Sequence, residues 1–119
     1  MRINGRDIHM TRGDTERFEV SLYDLVSEID RPFFEGDIVY FTVKTSTQTK
    51  TKTFQKIVTN FEDGVAKFTI KPEDTRGLRY HEYVYDVQMI KEGNVTTIIP
   101  PSKFVIEEEV TYEPEVNNG

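Results

Sequence analysis

The groups in this chain that could do chemistry are few, and their spacing does not favour it. His9 and His81 are its only histidines, and there is no cysteine. Neither histidine stands two or four residues from a second good donor in a way that would build a metal site, so a solvated or packing role is expected for each. Acyl transfer by a serine needs that serine in a strained turn beside a base, and Ser21, Ser27, Ser46 and Ser102 lie in no such turn. The paired carboxylates Glu62-Asp63 and Glu73-Asp74 fall in turn signals, which leaves a glycosidase without a flanking acid and base. No glycine-rich loop offers backbone amides to a phosphate. The chain is therefore expected to be no enzyme and to carry no metal or cofactor.

Three other groupings suit binding. Arg12-Gly13-Asp14 spells the tripeptide that integrins read, but Gly-Asp is also ordinary turn chemistry, which is the preferred reading. Asp86 interrupts an apolar strand, either as an outward carboxylate paired with a cross-strand Lys or Arg, or as a charge kept for an interface. Tyr80, Tyr83 and Tyr85, with Phe33-Phe34, either fill a core or form an exposed aromatic platform for sugar or protein.

Strands must position these residues. Over residues 71–89 a Pro-Glu-Asp-Thr turn leads through Gly77 into alternating Tyr83, Tyr85, Val87 and Met89, with Val84, Asp86 and Gln88 on the other face. This pattern predicts a crossover between two sheets followed by a central strand. Residues 15–22 (Phe18, Val20, Leu22) and 38–45 (Val39, Phe41, Val43) alternate in the same way and are expected to be core strands. The stretch KTSTQTKTKTFQK at 44–56 combines strong β propensity with almost nothing to bury, which predicts a solvent-facing hairpin or edge ribbon. Residues 54–59 and 65–70 flank Asn60-Phe61-Glu62-Asp63-Gly64 and predict a hairpin. Glu92-Gly93-Asn94 turns the strand at 83–90 back into one at 95–99. Pro100-Pro101 must then kink the last strand, or switch it between sheets, before it resumes over 104–110. With residues 3–10 this makes about seven strands, the grammar of an all-β sandwich. Helix is expected only as a turn at 72–75, where Pro72 suits the first helical position, and another within 22–29.

A chain of 119 residues is long enough for one core, and a single domain over residues 1–112 is expected, followed by a disordered acidic tail over 113–119. The formal charge of −6 is uneven: residues 107–119 hold five Glu and no base, leaving 16 acids against 15 bases over residues 1–106. An acidic chain with no basic block argues against nucleic acid as the main partner, because phosphate binding needs concentrated Lys and Arg. No apolar run approaches a membrane span, and residues 1–10 lack the apolar centre of a signal peptide, so a soluble, unexported protein with no membrane partner is expected.

Taken together, RGDT-x-x-F-x-V at residues 12–20, PEDT with YVYDVQM within 72–89, and GNVTTIIPPSKFVIEEEVT at 93–111 carry a family resemblance. They are similar to the small β-sandwich domain of structural proteins of tailed bacteriophages and prophages, above all the N-terminal domain of the baseplate upper protein of phages infecting Gram-positive bacteria. The likeness spans roughly residues 3–111 and departs from that family in having no coiled coil, collagen-like stalk or receptor-binding domain before residue 119. The Pro-Glu-Asp-Thr to Tyr-x-Tyr text also resembles the turn before the sixth strand of immunoglobulin domains, where a tyrosine corner clamps the crossover; Tyr83 or Tyr85 would play that part, without the usual Cys.

The resemblance implies an immunoglobulin-like β-sandwich of about seven antiparallel strands, acting as a non-enzymatic virion component. Its partners would be other tail or baseplate proteins, with a homo-oligomer in the particle, and it would reside in the virion and, during assembly, in the host cytoplasm. The docking residues expected on this reading are Phe33, Phe34, Lys50, Lys52, Asp86, Pro100 and Pro101, from the loop over residues 25–34, the Thr/Lys ribbon and the proline bend. The alternative is a carbohydrate-binding module for the bacterial surface, which requires Phe33, Phe34, Tyr80 and Tyr83 to stand in solvent.

Overall fold

Period-2 alternation selects the buried face of each strand, and it is strictest in two neighbouring strands inside the main sheet. The computed structural model of the protein describes residues 1–24 and 29–110, which form ten strands and one helical turn. These are β1 (Arg2–Asn4), β2 (Asp7–Thr11), β3 (Glu16–Val20), β4 (Leu22–Asp24), β5 (Ile29–Arg31), β6 (Ile38–Lys44), β7 (Phe54–Val58), β8 (Ala66–Ile70), α1 (Pro72–Thr75), β9 (Glu82–Lys91) and β10 (Asn94–Glu107). Six strands form one sheet in the order β1-β2-β10-β9-β6-β7; β3 pairs with β8, and β4 with β5. All pairs are antiparallel except β2 with β10, which run parallel. The protein is all-β and sandwich-like.

The core lies between the six-stranded sheet and the β3–β8 pair. Val39, Phe41 and Val43 of β6 and Tyr83, Tyr85, Val87 and Met89 of β9 are all buried on the inner face, as alternation predicts. Phe41 is the centre of an aromatic cluster, its ring centroid 5.1 Å from Phe18, 5.3 Å from Tyr85, 5.8 Å from Phe68 and 6.0 Å from Phe104. Two tyrosine hydroxyls reach out of this core to backbone. Tyr83 donates to the carbonyl of Arg79 at 3.0 Å, clamping the crossover four residues upstream. Tyr85 donates to the carbonyl of Arg6 and ties the first hairpin down. Burial, with the nearby Asp7 charge adding and Arg6 opposing, pushes the Tyr85 hydroxyl up to about 12, so it stays a donor.

Several local expectations need correction. Residues 3–10 are two strands, because Gly5-Arg6 makes a two-residue hairpin turn between the paired Asn4 and Asp7, and Gly5, at φ 64, supplies the positive φ that a tight β-turn requires. Residues 22–24 and 29–31 pair as strands where a helical turn was expected; residues 25–28 lie outside the described residues, as does the tail from 111. Of the two outcomes expected at Pro100-Pro101, the last strand takes the local irregularity and not the switch to another sheet. It stays paired with β9 along its length and absorbs the missing N–H groups as register shifts between Thr97 and Ile99 and between Ile99 and Ser102. The strand ends at Glu107 rather than at Val110.

The connection at 60–64 is a turn but not a hairpin between neighbouring strands. β7 pairs with β6 and β8 with β3, so the chain changes sheets here, and only a single bridge joins Glu62 to Val65. Asp63 and Gly64 both adopt positive φ, and the Gly64 carbonyl accepts a hydrogen bond from the Phe33 amide at 2.8 Å. A Cβ on Gly64 would sit 2.4 Å from the Cβ of Pro32. Gly64→Ala therefore combines left-handed strain with a steric clash and is expected to cost about 2 kcal/mol, read as a lower urea midpoint. A neutral Gly64→Ala would mean the Pro32–Phe33 segment yields freely.

Candidate functional site

The outer face of the six-stranded sheet is built from the residues that alternation leaves over. On β6 these are Ile38, Tyr40, Thr42 and Lys44; on β9 they are Val84, Asp86, Gln88 and Ile90. Across the β6–β9 ladder they match as Ile38 with Ile90, Tyr40 with Gln88, Thr42 with Asp86, and Lys44 with Val84. Gln55 and Ile57 extend the face on β7 opposite Thr42 and Tyr40, and Val95 extends it on β10 opposite Ile90. The face thus grades along β6 from an apolar end, where Ile57 is 54% and Val95 57% exposed, to a charged end at Lys44.

At the charged end the Thr/Lys ribbon, which joins β6 to β7, turns back over the sheet. Thr47, Lys50 and Lys52 from the ribbon meet Thr42, Lys44 and Gln55 from the sheet edge, and Val84, Asp86 and Pro101 close the other side. They bound a half-open groove of about 310 Å³. Sparse burial in the ribbon leaves its position to polar contacts. The Thr53 amide donates to the Val43 carbonyl at 2.7 Å, Lys52 Nζ donates to Gln55 Oε1 at 3.1 Å, and Gln55 Nε2 donates to Thr42 Oγ1 at 2.8 Å.

Three lysines and one carboxylate thus line the groove. The cross-strand ion pair expected for Asp86 is absent, because its partner across β6 is Thr42, and no described donor hydrogen-bonds its oxygens. Desolvation raises the Asp86 carboxyl above the ordinary carboxylate value, while the Lys44 charge pulls it back in part. A raised value means that folding disfavours the ionised form: the group's favourable contribution is full below the unfolded pKa and is lost as pH rises through the folded one. Asp86→Asn is accordingly expected to raise the urea midpoint at pH 7, with the gain shrinking toward pH 4. A loss of stability at pH 7 would reveal a compensating partner for the carboxylate.

Four expected docking residues, Lys50, Lys52, Asp86 and Pro101, meet in this groove. Pro100 lies next to it in the bulged part of β10. Phe33 is a correction: it is 3% exposed and stacks on Phe61 at 5.1 Å, so it belongs to the core and offers no surface. Phe34 is 44% exposed and lies apart from the groove, with Lys91 Nζ 3.7 Å above its ring and its amide donating to the buried Asp37 carboxylate at 3.1 Å. Lys44, Thr42, Gln55 and Gln88 were not anticipated, although their outward parity on β6, β7 and β9 was readable.

The Arg12-Gly13-Asp14 turn is engaged inside the molecule. Arg12 donates to Glu109 Oε1 from Nε at 2.9 Å and from a terminal nitrogen at 2.6 Å, to the Leu78 carbonyl at 3.0 Å, and to the Tyr80 hydroxyl at 2.9 Å. The Gly13 amide donates to Oγ1 of the fully buried Thr75 at 2.8 Å. His9 Nδ1 lies 3.7 Å from Glu107 and accepts no hydrogen bond. Among the described residues no group of three or more His, Asp or Glu side chains could hold a metal ion, and no helix is long and apolar enough to cross a membrane. No protein-family model matches the chain, and no curated protein matches it.

Proposed function

We propose that the chain is a non-enzymatic protein–protein docking module of a tailed-phage or prophage tail or baseplate, built as an immunoglobulin-like sandwich. The observation that carries the docking reading is the outer face of the six-stranded sheet, which bears exposed Ile57 and Val95 toward one end and the groove lined by Lys50, Lys52 and Asp86 at the other. A sheet with one face on a core and the other partly apolar and open is a surface for a second protein. The viral setting rests on the likeness of residues 12–20, 72–89 and 93–111 to phage structural domains.

The immunoglobulin-like reading draws on topology. β10, β9, β6 and β7 lie side by side with β3 and β8 opposite, and the chain crosses from β8 to β9 through a corner where Tyr83 bonds the Arg79 carbonyl. A sugar-binding platform finds less support, since Phe33 and Tyr83 are buried and Tyr80 is held by Arg12 and Glu109, so these rings form no exposed row.

The test is immunogold labelling of tailed particles released on prophage induction from the strain that encodes the chain. Label confined to the tail or its tip is expected. Abundant protein in the cells with unlabelled particles would overturn the virion reading.

A further inference from the structure

We propose that the groove binds an extended acidic segment of a partner protein, seating a carboxylate side chain among Lys44, Lys50 and Lys52 and a backbone N–H against Asp86, with the segment's apolar residues continuing over Tyr40 and Ile57. This inference rests on the docking reading above and names the chemistry of the partner.

Charge is the first argument. The chain carries −6 overall, yet three lysines and a single carboxylate line the groove, a local reversal of sign. Lys50 has no ion pair among the described residues, and Lys52 is held only by the neutral Gln55. A ligand carboxylate would find three amines along one groove wall, each able to make a charge-assisted hydrogen bond to it.

Asp86 chooses between kinds of anion. Its half-buried carboxylate has no hydrogen-bond donor among the described residues, so the groove floor presents an acceptor beside the amines. Phosphate chains and nucleic acid backbones bring only acceptors and negative charge to that point and would be repelled. A peptide brings both halves: a side-chain carboxylate for the lysines, and main-chain N–H groups for Asp86 and for the amide oxygens of Gln55 and Gln88. The groove is thus matched to a protein segment rather than to a polyanion.

The sheet face also sets a length and an order. Alternate residues on one strand face are about 7 Å apart, so the line Lys44, Thr42, Tyr40, Ile38 spans about 20 Å, which about six extended residues would cover. The acid belongs at the ribbon end, with β-branched or aromatic residues two to four positions away lying over Tyr40 and Ile57, which face each other across the β6–β7 ladder.

The experiment is an amide-resolved NMR titration of the full chain with the capped hexapeptide Glu-Glu-Thr-Val-Thr-Val, its Gln-Gln counterpart, and inorganic tripolyphosphate. Saturable shifts confined to the groove and the Tyr40–Ile57 strip are expected with the acidic peptide, at least tenfold weaker with the Gln-Gln peptide, and weakened by salt. The variant Lys50→Glu, whose side chain is exposed and makes no hydrogen bond within the ribbon, should weaken them at least tenfold while leaving the unfolding midpoint unchanged, and Lys50→Glu with Lys52→Glu should abolish them. No saturable shifts at the groove, equal binding of both peptides, or tighter binding of tripolyphosphate would each overturn the inference. Failure here with labelled phage tails would remove the acidic partner and leave the virion role standing; peptide binding with unlabelled particles would keep the acidic partner and remove the virion setting.

Discussion

Phe41→Ala is expected to remove about 3–5 kcal/mol, a large share of the total stability of about 5–15 kcal/mol for a domain of this kind. The ring is fully buried and within 6.2 Å, centroid to centroid, of Phe18, Phe54, Phe68, Tyr85 and Phe104, which come from five strands on both sides of the core. Truncation removes the transfer energy of the ring and leaves a cavity that none of these neighbours can fill without leaving its own contacts. Phe41→Leu keeps most of the volume and should cost about 1–2 kcal/mol. Urea unfolding followed by far-UV circular dichroism or tyrosine emission suits a chain with no tryptophan. Equal midpoints for Phe41→Ala and Phe41→Leu would show that the cluster is loosely packed and that the two layers are held by something else.

How far such a core can be read ahead of its structure depends on whether the deciding contact is local. β6 and β9 were legible because Val39, Phe41 and Val43, and Tyr83, Tyr85, Val87 and Met89, each state their buried face by parity alone. The turn at Glu92-Gly93 was legible for the same reason, its positive φ being a property of those two residues. Pairing partners were not. Asp63-Gly64 has the chemistry of a hairpin turn, but whether β8 lies beside β7 or across the core is decided by β3, some fifty residues earlier in the chain. The parallel match of Phe104 with Ile8 and Ile106 with Met10 likewise leaves no local trace. At the groove, Lys50 and Lys52 stood out as ribbon charges, Asp86 as a break in an apolar strand, and Pro101 as a bend. Their meeting depends on the ribbon folding back over β6 and β9, which no periodicity encodes.

Arg12→Ala is the second large effect and tests a contact that the sequence hid most completely. The Glu-rich end stood out only by its uneven charge, yet Glu109 reaches back 97 residues to the turn that precedes β3. One guanidinium there holds the Glu109 carboxylate, the Leu78 carbonyl and the Tyr80 hydroxyl, and it lies 4.2 Å from the centre of the Tyr80 ring. The N-terminal turn, the crossover after α1 and the end of β10 are thereby joined at one point. Losing these bonds should cost about 3 kcal/mol, less than a fully buried pair would because the site lies close to solvent. Arg12→Lys should recover little of it, since an ammonium cannot reproduce the planar fork.

The pH dependence identifies which bond matters. The hydrogen bond from Arg12, helped by that from Tyr80 and by the Arg12 charge, and opposed by desolvation, holds the Glu109 carboxyl below its ordinary value of 4.5. A lowered value means that the stabilisation is present above the unfolded pKa and is lost as pH falls through the folded one. Wild type and Glu109→Gln should therefore differ in urea midpoint at pH 7 and converge below pH 4.5. Arg12→Ala should approach wild type over the same range but stay below it, because the bond to the Leu78 carbonyl does not titrate. Were the Glu109→Gln gap unchanged from pH 7 to pH 3, the carboxylate would contribute nothing by its charge, and the end of β10 would be held by strand pairing alone.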